Sequence, residues 1–241
     1  MRVGIHQINY FPWMGYFNKI AKSDKFILMD EVQLTDSGMM QRNRILNKSG
    51  DTVWITIAFN KKDYLEREFR DLELNNNVKW QQRQYNSLFD TYHKLPAWKE
   101  VFSQIEFIFN KSYNKLQDVN VDALYTICNL LEIDTSRFVY MSNLNYDREA
   151  QKTDLVLNLC KAIGADVYLS GNGAKKYMDV SEFIDNGINV QYQKFEHPIY
   201  EQKFSKEFIP GLSILDVLFN CGIENTKKLF WDNLCSMEVN E

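Results

Sequence analysis

RVGIHQINYFPWMGYFNKIAKSDKFILM, residues 2–29, opens with a short apolar run from Arg2 to Gln7 that ends in a polar turn and predicts a buried strand. An aromatic-rich loop follows, Ile8 to Trp13, in which Pro12 pushes Phe11 away from helical dihedrals. Gly15 to Lys22 is predicted as a helix with Tyr16, Phe17, Ile20 and Ala21 on one apolar side. Lys25 to Met29 reads as a second strand, halted by the acidic pair Asp30-Glu31. Strand, helix and strand in so short a span make a βαβ unit: parallel strands joined by a right-handed crossover.

Working outward, residues 41–51 (QRNRILNKSGD) turn basic and polar, with Lys48 to Asp51 as turn chemistry before a further strand over Thr52 to Phe59. Residues 60–78 are charged and irregular, with one short extended piece around Phe69 to Leu74. Three helices are expected, roughly Lys79 to His93, Ala97 to Phe109 and Leu116 to Leu131, a helical insertion at about 79–131. Strands are expected at Arg137 to Met141, Asp166 to Leu169 and Asn189 to Lys194. Helices are expected at Arg148 to Ile163, Ser181 to Asp185, Ser213 to Asn220 and Asn225 to Cys235. The alternation predicts one α/β domain over 1–241: an open, largely parallel, Rossmann-like sheet with helices on both faces.

The 241 residues are 45% apolar, enough to fill one large core and too apolar for a disordered chain. Lys+Arg 28 against Asp+Glu 32 leaves −4, so no overall positive field recruits nucleic acid or an anionic membrane. Cys128, Cys160, Cys221 and Cys235 show no CxxC spacing, and a chain this long needs no disulfide framework. The N-terminal stretch lacks the unbroken apolar run of a signal peptide, and no segment is long and apolar enough to span a bilayer, so the expected compartment is the cytoplasm.

Ligands of open α/β sheets bind beyond the carboxyl ends of the strands. His6 and Gln7 end the first strand. A histidine there suits an anion or a reacting oxygen, and its plain alternative is a structural ring bonded to loop backbone. Trp13 and Tyr16 offer aromatic faces to a sugar or base and Gly15 lets a phosphate approach the helix start, unless all three are simply packing. Asp30, Glu31 and Gln33 suit Mg²⁺ or ligand hydroxyls, against a solvated loop. Arg42, Asn43 and Arg44 suit a phosphate or carboxylate through the guanidinium fork, or form a surface loop paired with nearby acids. Ser170, Gly171 and Gly173, with Lys175 and Tyr177 beyond, follow a buried strand and open a helix, where bare backbone N–H groups favour an anion. The spacing is neither GxxxxGK[ST] nor GxGxxG. His197, Tyr200 and Gln202 follow the last strand as a second candidate polar group, and His93 reads as a helix-end charge. No zinc spacing and no GxSxG elbow occurs, so neither zinc nor serine-nucleophile chemistry is supported.

Together these motifs resemble the WbqC-like family. HQINYFPWMGYF (6–17) resembles its opening signature, with Ile8 where that family has proline. Arg42 to Ile45 matches RNRI, and Tyr168 to Gly171 with Gly173 and Tyr177 matches YLSGxGxxxY. His197-Pro198 with Tyr200 and Gln202, then Leu212 to Asp216 and Leu218 to Asn220 with Gly222, complete the likeness over nearly the whole chain. The resemblance implies a bacterial protein of surface-polysaccharide (O-antigen) biosynthesis with a glycine- or acyl-transferring role. On that basis the expected reaction is acylation or glycylation of an amino sugar, carried as a nucleotide-linked sugar, with ATP and Mg²⁺ as candidate cofactors. His6 would be base or oxyanion donor, Asp30 its orienting group or a metal ligand, and His197 the competing base. Gln7, Asn9, Trp13, Gly15, Tyr16, Gln33, Arg42, Asn43, Arg44, Ser170, Gly171, Gly173, Tyr177, Tyr200 and Gln202 would bind substrate. The alternative is a non-catalytic sugar-nucleotide binder or scaffold of the same pathway. Either reading leaves room for a homo-oligomer. The first strand, loop, helix and following VQL also resemble the start of the pantothenate-synthetase-like nucleotidyltransferases, without that group's HxGH motif.

Overall fold

β1 (Arg2–Gln7), α1 (Met14–Ala21) and β2 (Lys25–Met29) form the expected unit, with β1 and β2 parallel and paired from Val3–Lys25 to Gln7–Met29. The chain is seen here in a computed structural model that describes residues 1–34, 38–176 and 178–238. After β2 come β3 (Arg42–Leu46), β4 (Thr52–Thr56), α2 (Trp80–Tyr92), α3 (Trp98–Asn110), α4 (Leu116–Leu130) and β5 (Phe138–Tyr140). Then α5 (Lys152–Ala162), β6 (Val167–Ser170), α6 (Val180–Asp185), β7 (Asn189–Tyr192), α7 (Ile214–Cys221) and α8 (Ile223–Glu238) close the chain.

The main sheet is five-stranded, in the order β5-β2-β1-β6-β7, and every pair in it is parallel. The chain winds outward from β1 through β2 to β5, then returns to lay β6 on the other side of β1 and β7 beyond it. The winding direction therefore reverses between β1 and β6, the place where open α/β sheets form a ligand crevice.

Alternate residues of each strand serve opposite faces. Val3, Ile5 and Ile27 meet α5 and α6 through Leu157, Leu159, Cys160 and Phe183. Phe26 and Leu28 meet α1 and α4 through Phe17, Ile20, Leu124 and Ile127, and the same core runs on into α2, α3, α7 and the β3–β4 pair. The three helices expected at about 79–131 form in that stretch, and α4 lies directly on the core of the sheet. Gly4 is what allows the α1–β2 turn to close on β1: a Cβ there would stand 2.4 Å from Ser23 Oγ and 2.7 Å from the Phe26 ring. The C-terminus of α1 is closed by Arg137, whose guanidinium donates to Ile20 O, Ala21 O and Ser23 O, a cation on the negative pole of the helix.

Four local expectations need correction. Arg42-Asn43-Arg44 is no loop: β3 pairs antiparallel with β4 as a separate two-stranded sheet, because Asn43 and Ile45 alternate inward while the arginines stay on the outer side. β4 stops at Thr56, and Phe59 makes only an isolated bridge to Leu74. The piece expected to be extended near Phe69 begins as a 3₁₀ turn, Phe69–Asp71. The glycine loop after β6 opens a five-residue 3₁₀ turn, Asn172–Lys176, and the α-helix starts later at Val180.

Candidate functional site

β1 and β6 pair only from Arg2–Val167 to Gly4–Leu169. Beyond that point β1 continues with β2 and β6 continues with β7, so the two strands part. A cavity of about 450 Å³ opens in this split, at the winding reversal. Its polar lining is His6 and Gln7 from β1, Lys19 from α1, Lys152 from the start of α5, and Ser170 from β6 with the glycine loop. Its apolar wall includes Met29, Leu155, Val156 and Tyr168. Among the described residues no carboxylate lines it, in a chain whose net charge is −4.

His6 sits half-buried, its ring edge-on to Tyr16 at 4.8 Å. Its Nδ1 lies 3.1 Å from Gln7 O. A carbonyl only accepts, so the neutral ring carries its proton on Nδ1 and presents the Nε2 lone pair. Burial, helped by the nearby Lys19 charge, pushes the His6 imidazole down to about 4. A ring so weakly basic accepts a hydrogen bond at neutral pH far better than it takes a proton. Ser170 is fully buried, and its carbonyl accepts from Gln193 N, while the Gln193 amide donates to Gly15 O and Asn18 Oδ1 and ties α1 to the end of β6. Above Gly171 and Gly173 nothing stands within 4 Å of where a Cβ would be, so both glycines present bare backbone to open space.

Lys19 escaped the sequence reading. It is 4% exposed, and its Nζ donates to Ile5 O at 2.7 Å, the carbonyl at the place where β6 leaves β1. Burial pulls its amine down to about 7. Its signal in the sequence was position, one turn after Tyr16 and beside Ile20 on a short helix that has little solvent face. Lys152 escaped too. Its φ of 52° is left-handed, at the first residue of α5, whose preceding Gln151 makes no side-chain cap.

The remaining candidates lie elsewhere. Both Asp30 oxygens accept from Ser142, from its N–H at 3.0 Å and its hydroxyl at 2.6 Å. The Glu31 carboxylate is taken by Arg70 at 2.8 Å, Arg148 and the Tyr146 hydroxyl. This pair therefore does not fit a metal ion, and Asp30 has no bond to His6. Among the described residues no cluster of three or more His, Cys, Asp or Glu is placed to hold one. His197 packs among Trp13, Phe195, Tyr200 and Phe208, its Nδ1 against Pro198 O, away from the split. Burial lowers its pKa as well. Tyr200 and Gln202 bond to the buried Asp216 with Tyr92, a network in which burial raises the Asp216 carboxyl. Asn43 donates to Tyr10 O and Phe11 O, and Tyr16 donates its hydroxyl to Gln7 O. Asn9 is buried, Gly15 lies under the Trp13 ring, and Gln33 bridges to Glu68. Arg44 lies 5.9 Å from the Trp54 ring. Tyr177 is outside the described residues.

Arg42 lies over the Trp54 ring at 4.3 Å and lines a second, larger cavity of about 1100 Å³ beside the β3–β4 pair. That wall mixes signs, Lys61, Lys62 and Arg67 with Asp63 and Glu73, and Arg67 already reaches Glu73 and Asp71 O. Size favours this cavity. The strand-end position and single-signed polar lining favour the split, which is the candidate site.

Compared with known proteins, residues 7–228 match the WbqC-like protein family. The chain belongs to that family. A WbqC-like relative, an uncharacterized protein of Mycobacterium tuberculosis, is 32% identical over 225 residues, which cover 92% of this chain and 95% of the relative. No solved structure matches the WbqC-like chain. Membership supports a place in polysaccharide biosynthesis and names no reaction. Among the described residues no helix is long and apolar enough to cross a membrane.

Proposed function

We propose that this WbqC-like protein is a cytoplasmic transferase of surface-polysaccharide (O-antigen) biosynthesis that acylates or glycylates an amino sugar, bound as its nucleotide-linked form. One observation carries the reading: among the described residues, the split between β1 and β6 is lined by cationic and neutral polar groups with no carboxylate. An anionic small molecule suits that lining, and a nucleotide-linked sugar supplies both phosphoryl oxygens and hydroxyl or amine donors. The bare backbone at Gly171 and Gly173 would meet the phosphoryl oxygens, with the buried Ser170 holding the start of that loop. His6 Nε2 would accept from the acceptor amine and orient its lone pair. Where activation requires ATP, Mg²⁺ would enter with the nucleotide, since Asp30 and Glu31 are already engaged.

A non-catalytic binder of the same ligand is favoured by one observation: among the described residues His6 Nδ1 meets the Gln7 carbonyl and no carboxylate. Incubation with amino-sugar nucleotides, glycine and ATP, read by mass spectrometry, tests the transfer. Mass gain on the sugar supports it, and none across a broad panel, with binding retained, leaves the binder. His6→Ala is expected to abolish product while keeping most of the affinity.

A further inference from the structure

We infer that Lys19 is the counter-ion for an anionic group of the ligand, a carboxylate or a tetrahedral oxyanion such as a phosphoryl group, bound in the split between β1 and β6. This deepens the proposed function and rests on its choice of the split as ligand site, without depending on the transfer chemistry.

An ammonium has three N–H donors. Ile5 O takes one of those of Lys19, and the residue lines the cavity where the others can be met. Lys19 is 4% exposed and makes no ion pair among the described residues. Burying a charge without an opposite one is costly, and buried charges in proteins are ordinarily paired. Satisfying a single carbonyl needs no lysine, because a hydroxyl or an amide would do it without the charge.

The titratable groups that face Lys19 come from every element around it. They are His6 of β1, Tyr168 of β6 with its ring centroid 5.9 Å away, and Cys160 and Lys152 of α5. None is a carboxylate, and burial holds the Cys160 thiol up at about 12, so it stays neutral. Among the described residues no anion is available to this ammonium, so its counter-charge is one that arrives from solution. Its arrival favours the charged amine, so a group held down at about 7 should take up a proton on binding at mildly alkaline pH.

The experiment is isothermal titration of the full chain at a pH of about 8 with sulfate and, separately, acetate, each in two buffers of different ionisation enthalpy. Both probes are fully ionised there, so any proton taken up goes to the protein, and His6, held down at about 4, stays neutral. The expected result is binding of at least one probe with uptake approaching one proton. Lys19→Met should weaken that binding about tenfold or more. Preference for sulfate identifies a phosphoryl site, and preference for acetate a carboxylate site. Binding without proton uptake, unchanged affinity in Lys19→Met, or no binding of either anion overturns the inference. Should Lys19→Met fail to fold, the proton count on the unaltered chain decides alone. Turnover is not read, so a protein without transferase activity can still pass, and a working transferase can still fail.

Discussion

Lys19 and His6 are both held below their ordinary pKa by burial, Lys19 at about 7 and His6 at about 4. In each case the unfolded chain binds the proton more tightly, so stability rises with pH between the folded and unfolded values. For Lys19 that window runs from about 7 up to the ordinary lysine value of 10.5, and below it the destabilisation is present in full. For His6 the window runs from about 4 to 6.5. Urea unfolding of the native chain beside Lys19→Met should show the native chain gaining on the variant across the upper window and a constant difference below it. His6→Gln should do the same across the lower window. Parallel curves for either pair would mean that the burial of that group does not act on its charge. Differences between pairs are the right measure, since the buried Asp216, with its raised carboxyl, contributes a slope of the opposite sign.

At the scale of elements, the family motifs divide into scaffold and lining. The loop Ile8 to Pro12 turns back through Phe11, which holds a left-handed φ of 38°, and its carbonyls are taken by side chains from three distant elements. Asn43 of β3 donates to Tyr10 O and Phe11 O, Asn120 of α4 to Ile8 O and Met40 O, and Ser213 ahead of α7 to Phe11 O. Asn43→Ala strands the Tyr10 carbonyl and leaves Phe11 O to Ser213 alone, and should cost about 1–3 kcal/mol of unfolding free energy. Arg44→Ala, on the outer side of the same strand, should cost well under half of that, and equal losses would argue against the stapling role. This division explains what the sequence could show. Strand runs such as Arg2 to Gln7 and Lys25 to Met29 are legible because one run of apolar letters meets a turn, and His6, Gln7 and Ser170 follow from the strand-end rule. β3 is not legible, because Asn43 occupies an inward position for the sake of loop carbonyls and breaks the apolar alternation. Nor is Lys19, since a lysine on an amphipathic helix reads as solvent face until the parting of β1 and β6 is known.

At the scale of the molecule, the split lies between α1 on one face of the sheet and α5 on the other, so a ligand seated there joins two layers with separate cores. Binding only the folded state raises the unfolding temperature in proportion to the logarithm of ligand concentration. It should also slow amide exchange locally, at the start of α5 and along 168–174, while β3 and β4 stay unchanged. A nucleotide-linked amino sugar is the probe to use, because the second cavity, beside β3 and β4, is large enough to take it as well. Protection confined to 42–64 would move the site there. Gly171→Ala separates the two further. The new methyl meets nothing within 4 Å and Gly171 has no left-handed φ, so stability should change by less than about 0.5 kcal/mol. A ligand whose oxygens rest on that backbone would meet the methyl directly, and its affinity should drop. Undiminished affinity in Gly171→Ala, with exchange protection absent from 168–174, would take the ligand out of the split altogether and leave the parting of β1 and β6 as a feature of the fold.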